Sequence, residues 1–182
     1  MPEIGRLNIG VIIERRDIDH PWQDHEWRLG GLVPGEHQAK EGELIEESPG
    51  RRRFFAGVGA LTLHTTDIDA YLHNLFSPRP AIYVVLRKDA DRPGSVPFTL
   101  HLVTASPYDA EAYMEGDGSL IEAWPMPPAV KEWVEAFVAA HHNPEPFRKR
   151  QRTRTDVESY NFGQEPIFAL RKRHHRPEGE GG

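Results

Sequence analysis

At 182 residues and 20.7 kDa the chain has room for one hydrophobic core and a tail, not comfortably for two domains. The absence of cysteine excludes a disulfide scaffold, a thiolate metal centre and a cysteine nucleophile. The formal net charge of −6 is unevenly divided: residues 1–146 carry 13 basic against 23 acidic side chains, and residues 147–176 carry 9 against 3. The reading is therefore a single acidic domain over 1–146 and a basic tail over 147–182, the two steering different partners. No apolar run approaches the roughly 18 residues of a membrane-spanning helix, and the opening MPEIGRLNIG lacks a secretory-signal pattern, so a soluble cytoplasmic protein is expected.

Period-two alternation places Leu7, Ile9, Val11 and Ile13 on one face of a first strand. A second strand runs through Trp27 and Leu29 toward Val33, and Pro34-Gly35 turns it. Residues 35–50 are rich in glutamate with little to bury, and read as an exposed loop. Phe54 to His64 is apolar on both faces, as a central strand is, and Ala81 to Lys88 and Phe98 to Ala105 form two shorter strands joined by an Asp91-Arg92-Pro93-Gly94 hairpin turn. Asp67 to Phe76 suits either a short helix capped by Thr66 or a strand. Ser106-Pro107-Tyr108-Asp109 starts a helix of about nine residues that Gly116 stops. After a strand at Leu120 to Trp124, Pro127-Pro128 opens a longer helix. Its apolar stripe is Val130, Trp133, Val134, Phe137, Val138 and His141, and Asn143-Pro144 ends it. The expected fold is α+β: a curved antiparallel sheet of about six strands, a short helix, a C-terminal covering helix and a basic tail.

No catalytic constellation emerges, and no cofactor or metal is assigned. His20 and His25, among the acids of Asp19-His20-Pro21-Trp22-Gln23-Asp24-His25-Glu26, match no standard ligand spacing. Arg51-Arg52-Arg53 precedes Gly57-Val58-Gly59, but strand-like residues follow where a nucleotide loop needs a helix. The glycines read instead as relief of crowding in a bent strand. Trp22, Trp27, Arg51, Arg52 and Arg53 are kept as a possible ligand-binding set. In the tail, Arg148, Lys149, Arg150, Arg152 and Arg154 precede an apolar island of Ile167, Phe168 and Leu170, and Arg171, Lys172 and Arg173 follow it. Such a segment gains too little from burial to order itself. Docking on an acidic protein surface competes with simple solvation; a membrane surface is not expected, for want of an amphipathic helix or lipidation signal, and nucleic acid is disfavoured by the acidic body and the absence of a stacking platform.

Pro21-Trp22-Gln23-Asp24 with Glu26-Trp27, Tyr83-Val84-Val85-Leu86-Arg87, Ser106-Pro107-Tyr108-Asp109-Ala110, and Met126-Pro127 through Trp133, Phe137-Val138 and His141-His142 to Pro146-Phe147-Arg148-Lys149-Arg150 together resemble a bacterial domain-of-unknown-function family. The resemblance spans roughly residues 7–154. Members are typically encoded beside molybdenum-dependent formate dehydrogenases, next to a second small protein, and often carry a name linking them to molybdopterin guanine dinucleotide synthesis. A guanylyltransferase of that kind needs a glycine-rich loop near its start, whereas Ile9-Gly10-Val11-Ile12-Ile13-Glu14 is an alternating strand. The resemblance implies a context, the assembly, maturation or regulation of formate dehydrogenase; with the missing catalytic constellation and the charge division it leads to the expectation of a non-enzymatic accessory or adaptor that binds dehydrogenase components or the co-encoded protein. The alternative is a protein that holds a molybdenum-cofactor nucleotide, as carrier or enzyme.

Overall fold

A computed structural model describes residues 4–92, 94–114 and 118–144. The element order is β1 (Ile4–His20), β2 (Gln23–Pro34), β3 (Leu44–Ser48), β4 (Arg51–His64), α1 (Ile68–Leu75), β5 (Ala81–Lys88), β6 (Phe98–Thr104), α2 (Pro107–Glu111), β7 (Leu120–Pro125) and α3 (Pro128–His141). The α+β class holds, with its strands shared between two antiparallel sheets. The first has four strands in the order β2-β1-β4-β3, and the second has three in the order β6-β5-β7.

The residues expected on one face of the first strand are buried: Ile9, Val11 and Ile13 are fully inaccessible. They join Leu29, Phe54, Leu61 and Leu63 of the first sheet, Ile82, Val84 and Val103 of the second, and Val130, Val134 and Val138 of α3 in one core. Gly59 marks where the sheets approach: a Cβ there would stand 2.3 Å from Val103 Cγ2. Gly57, at φ +128°, sits beside a bulge where β4 carries one residue more than β1 between Val11 and Ile12. Gly59 thus relieves crowding, as its place in an apolar strand suggests, and Gly57 supplies the backbone conformation of the bend.

A second bulge lies across β1. Ile12 pairs with Gly31 and Ile13 with Leu29, so β2 also carries an extra residue at that point. The Leu29 amide donates instead to the Glu122 carboxylate of β7 at 2.8 Å, a bond between the two sheets.

Three local expectations are corrected. Residues 35–50 are not all loop: Leu44–Ser48 form an edge strand, because Glu46 and Glu47 face arginines of β4 rather than water alone. The ambiguous segment is a helix, and Thr66 does not cap it; Asp67 occupies the cap position with no side-chain capping bond, and the Thr66 hydroxyl donates to Asp67 Oδ1 at 3.1 Å. The helix after Ser106 has five residues instead of about nine, and Gly116 lies outside the described residues. Its cap is as read: Ser106 Oγ accepts from the Asp109 amide at 3.3 Å, and proline follows the cap. No helix among the described residues is long and apolar enough to cross a membrane.

Candidate functional site

The charged end of the four-stranded sheet gathers most of the chemistry the described residues offer. Three blocks of charge, Glu14-Arg15-Arg16 on β1, Arg51-Arg52-Arg53 on β4 and Glu46-Glu47 on β3, lie side by side. The register pairs Glu14 with Arg53, Arg15 with Arg52 and Arg16 with Arg51, and β3 then sets Glu46 against Arg53 and Glu47 against Arg52. Directly opposed residues share a face and neighbours along a strand alternate, so this end of the sheet has two distinct surfaces.

On one surface Glu14 is the hub. Its side chain is 5% exposed and accepts from Arg16 Nη2 at 2.8 Å and Arg53 Nε at 3.0 Å, with Arg51 Nε at 3.9 Å. Burial, the largest single influence, pushes the Glu14 carboxyl up, but the hydrogen bonds and charges of Arg16 and Arg53 together outweigh it and leave the group below its ordinary value. Arg53 is held more firmly protonated, chiefly by the same hydrogen bond. Glu46 takes Arg51 at 3.3 Å and Arg53 at 3.2 Å, and Arg28 on β2 pairs with Glu26 at 3.0 Å.

The other surface carries Trp27, Arg15, Arg52 and Glu47 in one row across β2, β1, β4 and β3. Trp27 packs on Phe54 and Phe98 with ring centroids 5.7 and 5.9 Å away, which seats the row beside the core. Arg52 Nε donates to Glu47 Oε1 at 2.8 Å. Arg15 has no ion pair among the described residues, and its Nε is buried with no hydrogen-bond partner. A cleft of about 400 Å³ opens here, lined by Arg15, Arg51, Arg52, Asp17, Glu47, Ser48, Pro49 and Gly50.

The ligand-binding set read from sequence is thus only partly assembled. Arg51, Arg52 and Arg53 are adjacent, but alternation sends Arg52 to the opposite face from the other two, and all three hold glutamates. Trp27 shares the row of Arg52. Trp22 does not join them: it is 87% exposed in the turn between β1 and β2 and contacts no aromatic ring among the described residues. A tryptophan beside a strand is ordinarily expected to wall the core, but here the hairpin extends past the core and leaves the Trp22 ring in water. His20 Nδ1 accepts from the Trp22 amide at 3.3 Å, and His25 stands edge-on to Trp27 at 6.2 Å. No group of three or more metal-ligating side chains occurs among the described residues. Arg148, Lys149, Arg150, Arg152, Arg154, Ile167, Phe168, Leu170, Arg171, Lys172 and Arg173 lie outside the described residues.

Sequence reading missed Glu14 and Arg15. The available signal was the run Glu14-Arg15-Arg16 at the end of an apolar strand, complementary to Arg51-Arg52-Arg53 and to Glu46-Glu47. Neither the curated proteins nor the solved structures contain a match to the chain. A family model described as "Protein of unknown function (DUF3305)" matches residues 8–151, which takes in both sheets and the arginine-rich sheet end, and the chain belongs to that family.

Proposed function

We propose that the chain is a non-enzymatic accessory protein that binds a protein partner in the cytoplasm during formate dehydrogenase assembly, maturation or regulation. The formate dehydrogenase context rests on the resemblance of residues 7–154 to a family encoded beside such enzymes. Binding by surface contact is supported chiefly by Trp22. A ring 87% exposed at the turn of a long two-stranded hairpin gains nothing from the fold that presents it. Tryptophan is also the residue type that most often anchors an interface. The basic composition of residues 147–176 adds an electrostatic element that steers an acidic partner.

The test is affinity capture from cells that express the dehydrogenase. Full-length protein is compared with Trp22→Ala and with a tail variant in which Arg148, Lys149, Arg150, Arg152 and Arg154 become glutamine. An anchoring tryptophan is worth about 2 kcal/mol or more, roughly thirtyfold in affinity, so Trp22→Ala loses the dehydrogenase components while its melting curve stays put. Equal recovery by all three proteins refutes the reading.

A further inference from the structure

We propose that the cleft between Arg15 and Arg52 is a binding site for the phosphate group of a small molecule. The adaptor reading is not needed for it. Arg15 and Arg52 are directly opposed on adjacent antiparallel strands and point to the same face. Like charges in that relation repel unless an anion stands between them. At the neighbouring rung the same problem, Arg16 opposite Arg51, is resolved by Glu14 and Glu46. At the Arg15 rung it is resolved on one side only. Glu47 holds Arg52 through Nε alone, and Asp17, the other acid lining the cleft, makes no ion pair with Arg15. Of the six arginines at this end of the sheet, Arg15 alone has no carboxylate among the described residues, and its Nε is buried with no acceptor.

The donors that line the cleft come from two facing strands: the Arg15 guanidinium and the two Nη groups that Arg52 leaves free of Glu47. A carboxylate has two oxygens, which a single guanidinium fork satisfies. A phosphate offers three terminal oxygens in a tetrahedral array, which suits donors approaching from two facing side chains. The volume of about 400 Å³ leaves room for the organic part of a phosphate ester beside the phosphate. Pro49, which also lines the cleft, supplies an apolar flank. Asp17 and Glu47 weaken the attraction, and binding is accordingly selective for the dianion and sensitive to salt.

The experiment titrates the full chain with phenyl phosphate, inorganic phosphate, acetate and sodium chloride at matched ionic strength, following backbone amide resonances by NMR. Saturable shifts at Asp17, Ser48 and Gly50 with phenyl phosphate are expected. Arg15→Gln is expected to weaken them about tenfold or more, the scale of one charge-assisted hydrogen-bond pair, and Arg15→Lys to weaken them less. Arg28→Gln, on the opposite face, changes the affinity by less than about twofold. Well-dispersed spectra of each variant show that the fold is kept. Shifts confined to residues 147–176, shifts equal in Arg15→Gln, acetate binding as tightly as phenyl phosphate, or no saturable shift each overturn the proposal. None of these outcomes bears on protein capture through Trp22.

Discussion

Replacing Glu14 with glutamine keeps the side chain's shape and removes its charge, which isolates what the carboxylate contributes to the sheet end. Glu14 accepts from Arg16 Nε at 3.2 Å and Nη2 at 2.8 Å, and from Arg53 Nε at 3.0 Å. In the variant one carbonyl oxygen remains, and an amide that can only donate faces guanidiniums that can only donate. Breaking a buried ion pair costs about 3–5 kcal/mol, but here the arginine side chains are 49%, 38% and 32% exposed and recover water. The loss falls nearer the figure for charged hydrogen bonds, about 1.5–3 kcal/mol. At roughly 2–4 °C per kcal/mol for a chain of this size, the melting temperature drops by about 3–12 °C. Urea titration at neutral pH reads it directly as a lower midpoint at unchanged slope. The pH dependence supplies the sign. Because the native Glu14 carboxyl lies below its ordinary 4.5, the unfolded chain binds the proton more readily, and the stabilisation is present above 4.5 and disappears as pH falls through the native value. The gap between native protein and Glu14→Gln therefore closes in acid. A variant as stable as the native protein at neutral pH, or a gap that persists undiminished in acid, refutes the reasoning.

Tyr71 works in the opposite direction. Burial pushes its phenol up to about 12, above the ordinary 10, so its contribution is complete below pH 10 and is lost as pH rises through the native value. Comparison of alkaline unfolding with Tyr71→Phe shows the native protein losing stability relative to the variant across that window. Gly59→Ala drives a methyl into Val103 and costs about 1–3 kcal/mol by chemical denaturation; pairing it with Val103→Ala restores part of the loss. Asn74 donates to the Ala81 and Ala105 carbonyls at 2.7 and 2.8 Å and accepts from the Ala81 amide at 3.0 Å, all buried, so Asn74→Ala strands three backbone groups. At about 1–3 kcal/mol for each stranded group, it is the most damaging of these substitutions, and differential scanning calorimetry reads it.

Strands with a clean period of two, β1 above all, and helices with a chemical start signal, α2 and α3, were legible in the residues themselves. The edge strand β3 was not. Its residues are exposed or half-exposed, and they form a strand because their glutamates meet β4 arginines, a pairing visible only once the register is known. The division into two sheets was equally hidden, since it depends on the close crossing at Gly59 and not on any local pattern. Arg51-Arg52-Arg53 drew notice as a cluster of like charge, yet its meaning lies in alternation. Two of the three serve the Glu14 hub, and the middle one faces the cleft with Arg15. Trp22 shows the limit of composition, because a large aromatic reads as core until the hairpin length that carries it past the core is known.

The bond from the Leu29 amide to Glu122 joins residues 93 positions apart. During synthesis the first hairpin leaves the ribosome long before its bulge can find that acceptor, so β2 must wait with one amide facing water. Final seating of that bulge therefore requires one of the last strands to be in place, which couples the first sheet to the second.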